Sequence, residues 1–418
     1  MLIYFIEWLE MQMGDLPGAR LFQSLSFRAG LAIIISLLIS MAFGGRIIKY
    51  LRRQQVGETV RDLGLDGQKQ KEGTPTMGGI IIVLSIVIPC LLVTRLENVY
   101  LITMLIATVW MAAIGFVDDY IKVFRKNKEG LAGRFKILGQ VGLGVLIAVV
   151  MLRSEQVVVR MPVETAEAAG LTTEQMVGEI IEVQVDDNTV ELRADYQTGL
   201  TNVPFFKGNL LNYDTVIGLG RQLAWLLYIP FMVFIVTAVS NAANLTDGLD
   251  GLAAGTSGIA AAVLVVLAYV GSNAITADYL NILHLPGTQE LIVFAACLLG
   301  ACLGFLWHNS FPATVFMGDT GSLALGGIIA SLAILLRKEL LVPIFCGIFL
   351  IENLSVILQV GYFKYTKRKY GEGRRIFLMS PLHHHFQKKG MSEVKIVTRF
   401  WIVAILLAVA TILTLKIR

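Results

Sequence analysis

Long apolar stretches separated by polar segments run along almost the whole chain, and they predict about ten membrane-spanning helices. A helix needs about 20 mostly apolar residues to cross a bilayer. The pattern therefore predicts an all-α polytopic membrane protein. The apolar stretches lie near residues 25–48, 77–94, 98–117, 136–152, 222–241, 252–271, 290–308, 320–336, 340–363 and 398–415.

One long segment, 153–218, departs from this pattern. Within it, residues 182–193 alternate apolar and polar side chains around Asp187-Asn188, which predicts a β-hairpin. We therefore expect transmembrane helices 1–4 in residues 1–152, a small extracytoplasmic insertion in 153–218, and transmembrane helices 5–10 in 219–418. The helices together are expected to form one catalytic membrane domain.

Composition and charge agree with a membrane protein and give it an orientation. Apolar residues make up 55% of the 418 positions, charged residues 16%, and the mean hydropathy is +0.69, whereas proteins on average carry about 25% charged residues. Ten spans place the three most basic segments on one side of the membrane, which the positive-inside rule makes cytoplasmic. The insertion and both termini then face outward. The basic segments are 46–71, 122–136 and 364–399.

Acidic and amide side chains gather at the ends of the apolar stretches, on the predicted cytoplasmic side. Asp118 and Asp119 follow the third stretch, and Asp319 precedes the eighth. Carboxylates at the edge of a bilayer are costly and tend to be functional. Several of them converging on one face predict a divalent metal site for phosphate chemistry. Four further polar residues, spaced three apart, end the fifth stretch: Asn241, Asn244, Asp247 and Asp250.

Each of these positions also has a purely structural interpretation. Asp118 and Asp119 would be solvated acids at a helix end, although the helix dipole disfavours acids at a C-terminus unless Mg²⁺ or a lysine compensates them. Asp319 would be the cap of the eighth helix, and the amide-rich segment would be a polar loop. If the amide-rich segment is helical, its polar groups spread over about half the circumference.

Three other segments carry candidate chemistry. Glycines 318 and 321 would let a phosphate reach backbone N–H groups at a helix start, and Phe316 is placed to stack on a base. Residues 383–385 are three consecutive histidines, which suit hydrogen bonds to phosphate or sugar better than zinc binding. The segment 69–79 lacks the spacing of a Walker A loop but offers lysine, threonine and glycine to a phosphate.

Taken together, five segments resemble the phospho-N-acetylmuramoyl-pentapeptide transferase family, within the superfamily of polyprenyl-phosphate N-acetylhexosamine-1-phosphate transferases. The likeness covers nearly the whole chain except 153–218, which is longer than the family leads us to expect. The aspartate segments are shared across the superfamily, whereas the first and last segments favour this branch. The segments are Gly73-Thr-Pro-Thr-Met-Gly-Gly79, Phe116-Val-Asp-Asp-Tyr120, Asn241-Ala-Ala-Asn-Leu-Thr-Asp-Gly-Leu-Asp-Gly251, Phe316-Met-Gly-Asp-Thr-Gly-Ser322 and Pro381-Leu-His-His-His-Phe386.

The resemblance implies transfer of phospho-N-acetylmuramoyl-pentapeptide from UDP-N-acetylmuramoyl-pentapeptide to undecaprenyl phosphate, with UMP released and Mg²⁺ as cofactor. It implies a multi-pass protein of the bacterial inner membrane with its active site on the cytoplasmic face. The partners are the two substrates and membrane lipid, with no nucleic acid. A homodimer is one oligomeric state to test.

The resemblance also assigns roles to residues, with Lys136 preferred to Arg134 as the functional lysine of its loop. The catalytic residues are expected to be Asp118, Asp119, Lys136, Asp247 and His383. The expected metal ligands are Asp319 and Asn241. The expected substrate-binding residues are Lys69, Thr74, Asn244, Gly248, Leu249, Asp250, Asn309, Phe316, Gln359, His384 and His385.

Three alternatives are open at this stage. The nearest is an N-acetylglucosamine-1-phosphate transferase of the same superfamily. A transporter is a different class, but transporters usually place their charges near the bilayer midplane, whereas these lie at one face. For the chemistry, direct attack by the lipid phosphate is favoured over a phospho-enzyme. A phosphate monoester has a second pKa of about 6, so it is mostly dianionic at neutral pH and needs little help from a base.

Overall fold

A computed structural model describes residues 1–14, 17–54, 71, 73–127, 129–186, 189–206, 210–216 and 223–416. Helices dominate these residues. The ten long apolar helices are α3 (Leu25–Arg53), α4 (Gly79–Val93), α5 (Val99–Phe124), α6 (Gly133–Arg153), α9 (Trp225–Thr246), α10 (Leu252–Ser272), α12 (Gln289–Asn309), α13 (Gly318–Leu335), α15 (Gly347–Tyr370) and α17 (Glu393–Thr414). The shorter helices are α1 (Leu2–Met13), α2 (Ala19–Gln23), α7 (Val163–Ala168), α8 (Tyr213–Val216), α11 (Ala274–Leu280), α14 (Val342–Phe345) and α16 (Leu382–Lys388).

The ten predicted spans coincide with these ten long helices. Within the described ranges, nine are long and apolar enough to cross a membrane, and the 15-residue α4 is the shorter tenth. The prediction of an all-α polytopic membrane protein is therefore confirmed. The ninth span also extends as its sequence suggests, because α15 continues to Tyr370 and ends where Gly371 adopts a left-handed φ of 80°.

Helix α13 lies at the centre of the helix bundle. From Thr320 to Leu335 every residue is buried, and its main neighbours are α5, α9 and α4. A helix that is apolar on all sides is the kind that other helices surround. The first turn of α13 thereby lies beside the ends of α5 and α9, which carry Asp118, Asp119 and Asn244.

The insertion 153–218 contains a three-stranded antiparallel sheet in the order β1-β3-β2, and a second pair, β4-β5, among its described residues. Strands β2 (Met176–Asp186) and β3 (Thr189–Tyr196) form the predicted hairpin, and its two turn residues lie outside the described residues. The other strands are β1 (Val159–Pro162), β4 (Leu200–Asn202) and β5 (Leu210–Asn212).

Contacts place the insertion at the end of the bundle opposite the acids. The backbone N–H of Arg160 donates to the carbonyl of His284, and the Thr201 hydroxyl donates to the carbonyl of Arg337 just beyond α13. The buried Lys338 ammonium bonds the Asn202 side chain. Both ends of the described chain lie on this side too, since Met1 contacts Leu91 and Lys416 contacts Tyr279.

Candidate active site

Three carboxylates meet where α5 and α13 approach each other. Asp118 and Asp119 lie in the last two turns of α5, and Asp319 lies in the first turn of α13. One oxygen from each lies within 4.8 Å of one from each of the others. Asp118 and Asp119 are buried, and Asp319 is partly exposed. Such a group of oxygen donors is chemically suited to Mg²⁺.

Two lysines compensate these acids. The Lys136 Nζ lies 2.9 Å from Asp118 Oδ1 and 2.6 Å from Asp319 Oδ2. The Lys122 Nζ lies 2.6 Å from Asp118 Oδ2 and 3.2 Å from Asp319 Oδ2. Lys136 was a predicted site residue, whereas Lys122 was missed. Its position four residues after Asp118, on the same face of a helix, is the signal that would have found it.

Asp119 caps α13 from the neighbouring helix. Its Oδ1 accepts from the N–H of Asp319 at 3.0 Å, and its Oδ2 accepts from the N–H and hydroxyl of Thr320 at 2.8 and 2.6 Å. The structural alternative for Asp319 is therefore wrong, because α13 receives no cap from it. The expected phosphate contact at this helix start is also wrong for these two N–H groups, which Asp119 already binds.

The amide-rich segment folds differently from a continuous helix. Helix α9 ends at Thr246, so Asp247 and Asp250 lie in the turn that leads to α10, and the four groups do not spread around one helix. The Asn244 amide donates to Asp319 Oδ1 at 3.0 Å and to Ser322 Oγ at 2.9 Å. One turn earlier, Asn241 donates to Gln140 and to the carbonyl of Thr237. The contact with Asp319 is thus made by Asn244.

The turn after α9 forms a second charged cluster. Asp250 Oδ1 accepts from Lys71 Nζ at 2.7 Å, and its Oδ2 accepts from the N–H of Ala313 at 3.0 Å. Glu393 lies 2.6 Å from the same Lys71 Nζ. Asn309 supports the turn by accepting from the Gly251 N–H and donating to a neighbouring carbonyl. Leu249 is buried beneath the turn.

The segment before α4 joins this cluster to Phe316. The Phe316 N–H donates to the Pro75 carbonyl, and the Phe316 carbonyl accepts from the Gly78 N–H, both at 2.8 Å. A side chain at Gly78 would collide with that carbonyl, so the close pairing requires glycine. Thr74 is half-buried in the same segment, whereas Lys69 lies outside the described residues. Lys71 is the lysine that the structure places beside Asp250.

His383 connects the histidine segment to the turn after α9. It is fully buried, with Nδ1 3.2 Å from Glu352 Oε2, and its backbone N–H donates to Glu352 Oε1 at 3.2 Å. Its Nε2 faces Gly248, where an added β-carbon would collide with the ring. Glu352 was missed, although a lone acid within an apolar stretch is itself a signal of function.

The other two histidines face different neighbours. Burial, reinforced by the nearby His383 and Lys71, lowers the pKa of His384 to about 4, so its ring is neutral at pH 7. Its Nδ1 lies 2.7 Å from Gln387 Oε1. His385 Nδ1 accepts from the Leu378 N–H at 3.1 Å.

Comparison with known proteins decides the family. Residues 185–337 match the family model described as glycosyl transferase family 4, and residues 71–83 match phospho-N-acetylmuramoyl-pentapeptide-transferase signature 1. The chain is 55% identical over 422 residues to the phospho-N-acetylmuramoyl-pentapeptide-transferase of Flavobacterium psychrophilum and 54% identical over 436 residues to that of Parabacteroides distasonis. Each match covers 100% of both proteins. The chain belongs to the phospho-N-acetylmuramoyl-pentapeptide-transferase family.

Membership of the phospho-N-acetylmuramoyl-pentapeptide-transferase family decides between the two enzyme classes and the transporter that the sequence left open. It identifies the chain as a membrane transferase of peptidoglycan synthesis. The comparisons therefore do not support the two other hypotheses, a transporter and an N-acetylglucosamine-1-phosphate transferase. The family signature starts at Lys71, the residue that contacts Asp250 and Glu393. It also contains Gly78 and Gly79, which approach the start of α13.

The contact between Glu352 and His383 leads to a first prediction. Glu352→Gln keeps the size of the side chain and an acceptor for the His383 N–H, but it removes the charge that lies 3.2 Å from Nδ1. We expect the kcat for UMP release to fall about tenfold or more, with little change in KM for the nucleotide substrate. Glu352→Asp retains the charge and should keep more activity. Equal losses in both variants, with lowered thermal stability, would show a purely structural role.

Proposed function

We propose that the chain uses Mg²⁺ to transfer phospho-N-acetylmuramoyl-pentapeptide from UDP-N-acetylmuramoyl-pentapeptide to undecaprenyl phosphate, releasing UMP. The transferase activity rests on family membership. The observation that supports the metal-assisted form is the grouping of Asp118, Asp119 and Asp319 with two lysines at one end of the bundle. Phosphoryl transfer depends mainly on positioning and charge neutralisation, and this group provides both.

The residues present fit a magnesium ion. Hard oxygen donors within 4.8 Å of one another are the ligands that Mg²⁺ prefers. Asp319 and Asp118 are the proposed ligands, because both pair with lysine ammonium groups whose charge a metal ion would replace, whereas Asp119 accepts its hydrogen bonds from the start of α13. When bound, the ion would neutralise charge on the diphosphate. The earlier assignment of Asn241 as a ligand is less favoured, since Asn244 is the amide that contacts Asp319.

The same contacts favour direct attack by the lipid phosphate. A carboxylate that attacks phosphorus acts as the nucleophile, so its reactivity falls when hydrogen bonds and cations stabilise its charge. Asp119 accepts three hydrogen bonds from α13, and Asp118 is held by Lys122, Lys136 and the N–H of Leu131. These partners stabilise the carboxylates and reduce their nucleophilicity. In the proposed reaction, Lys122 and Lys136 hold the phosphates of the two substrates in line.

We propose that the uracil of the donor binds between Phe316 and the turn that contains Gly248, Leu249 and Asp250. Phe316 is partly exposed, and its backbone is fixed by the segment before α4. Stacking of a base on an aromatic ring contributes about 1–3 kcal/mol. Phe316→Ala should therefore raise the Kd for UDP-N-acetylmuramoyl-pentapeptide about 5- to 150-fold, measured by calorimetry in detergent. Unchanged donor affinity with weaker lipid binding would contradict this placement.

The proposed reaction is tested by a UMP-release assay on purified protein with undecaprenyl phosphate. UDP-N-acetylmuramoyl-pentapeptide should support Mg²⁺-dependent release that EDTA abolishes. UDP-N-acetylglucosamine should support far less, because it lacks the lactyl peptide. Preferential use of UDP-N-acetylglucosamine would contradict the proposed substrate.

We also propose that the acids face the cytoplasm of a bacterial inner membrane. The basic residues of α15 and of the segment after α5 lie at the same end of the bundle as Asp319, as the positive-inside rule requires. Cysteines introduced singly at exposed Lys367 and at exposed Tyr279 on the opposite end would report the orientation through labelling of intact cells. The homodimer remains a prediction, and measuring the size of the protein in detergent would test it.

A further inference from the structure

One face of α6 carries Lys136, Gln140 and Gly144 on three successive turns. Lys136 contacts two acids of the site, and Gln140, one turn deeper in the membrane, is fully buried. A β-carbon added at Gly144 would lie 2.6 Å from the Cα of Val233 in α9, so the two backbones are in close contact there. The position of the Lys136 ammonium therefore depends on how this face of α6 is held against α9.

The hydrogen bonds of Gln140 connect α6 to two other spans. Gln140 Oε1 accepts from Asn241 Nδ2 at 2.9 Å, and Gln140 Nε2 donates to Ser240 Oγ at 3.3 Å. The Ser240 hydroxyl donates in turn to the carbonyl of Leu323 in α13, at 3.3 Å. Lipid tails are as apolar as the helix surfaces, so close packing and hydrogen bonds between helices hold membrane spans together. Gln140 thus joins the helix of Lys136 to α9 directly and to α13 through Ser240.

The direction of these bonds determines which end of the Asn241 amide meets Gln140. The Ser240 O–H is directed to Leu323, so Ser240 Oγ accepts from Gln140, and Gln140 Oε1 is the atom that accepts from Asn241. The Asn241 amide also donates to the Thr237 carbonyl at 2.8 Å. Among the described residues no donor bonds Asn241 Oδ1, and Asn241 is partly exposed, so this oxygen is available to a ligand.

Gln359 has a different role from Gln140. It was expected from the sequence to bind substrate, but its side chain bonds the loop that follows its own helix, α15. It accepts from the N–H groups of Ile376 and Phe377 and donates to the Phe377 carbonyl, at 3.0 to 3.1 Å. Gln140, whose partners lie on another span, is the glutamine that supports the carboxylate site from below. Residues that act in this way hold functional groups in their productive geometry.

We propose that Gln140 is a positioning residue of the transfer reaction, which fixes Lys136 and the Asn241 amide relative to Asp319. Lys136 and Gln140 are four residues apart on one helix, so a shift of α6 at Gln140 moves the Lys136 ammonium. Gln140 acts through other residues, because its own hydrogen bonds go to Asn241 and Ser240 and not to the acids. The inference rests on the proposed part of Lys136 and Asp319 in phosphate transfer.

The test measures UMP release by full-length Gln140→Met in detergent. Methionine keeps the length of the side chain and suits a buried site, but it forms neither hydrogen bond. We expect kcat to fall about 10- to 100-fold, because a displacement of about 1 Å can cost about 10²-fold. The KM for the nucleotide substrate should stay within about twofold of wild type. The matched control is Thr108→Val, which removes a buried hydroxyl whose hydrogen bond to Met104 stays within α5, and it should keep the wild-type kcat.

A double-mutant cycle with Asn241→Leu separates positioning from a general loss of packing. Either change breaks the bond between Gln140 and Asn241, so the double variant should lose less activity than the product of the two single losses. Multiplicative losses would overturn the proposal, and so would a Gln140→Met enzyme as active as the Thr108→Val control. Should Gln140→Met unfold, Ser240→Ala repeats the cycle, because it removes only the link from Gln140 to α13. The cycle compares relative kcat values with the donor that the wild-type protein uses. A different donor would therefore contradict the proposed substrate and leave this inference intact.

Discussion

Replacing Asp319 by Asn is expected to abolish turnover while the protein stays folded in detergent. The Asp319 carboxylate contacts three polar side chains of the site. Lys136, Lys122 and Asn244 lie 2.6, 3.2 and 3.0 Å from it. An amide keeps the volume but removes the charge that a magnesium ion and both lysines require. We expect UMP release to fall about 10³-fold or more, since charge stabilisation of this kind is usually the largest catalytic contribution.

The measurement is UMP release over a series of Mg²⁺ concentrations, combined with thermal unfolding in the same detergent. The matched control is Asp278→Asn, which removes a partly exposed carboxylate that pairs with Arg193 at the opposite end of the bundle. It should have wild-type activity. Near-normal turnover of the Asp319 variant at low Mg²⁺ would remove Asp319 from the metal site.

Much of this architecture was predictable because it depends on patterns within single segments. The apolar stretches predicted all ten long helices, and the alternation in 182–193 predicted the β2-β3 hairpin. The grouping of Asp118, Asp119 and Asp319 was also predictable, since residues at one end of neighbouring spans share one depth in the membrane. These are consequences of hydropathy and periodicity.

The errors arose where the outcome depends on contacts between segments. Asp119 caps α13 only because α5 and α13 approach each other, so its partners are 200 and 201 residues away. The spacing of three in 241–250 left a helix and a polar loop open, and the structure contains both, because α9 stops at Thr246 and Gly251 has a φ of 78°. The pairing of Lys71 with Asp250 likewise follows from tertiary structure.

Gly115→Ala is the second change for which we expect a large effect, although this residue carries no chemistry. Gly115 lies in α5, one turn before Asp118 and Asp119. A β-carbon there would overlap the carbonyl oxygen of Asp319 and lie 2.6 Å from the Cα of Thr320. Both are backbone atoms at the start of a helix that is buried on all sides, so no flexible side chain can move aside.

The added methyl group therefore has to push the first turn of α13 away from α5, which separates Asp319 from the other two acids. A displacement of about 1 Å at a catalytic group can cost about 10²-fold in rate, and overpacking costs about 1–3 kcal/mol of stability. The expected result is a kcat about 100-fold lower, with a lower unfolding temperature. Gly45→Ala is the matched control, because a β-carbon at Gly45, in α3, meets nothing within 4 Å. If Gly115→Ala had the activity of the Gly45 control, the close approach of α5 and α13 would not be what positions the acids.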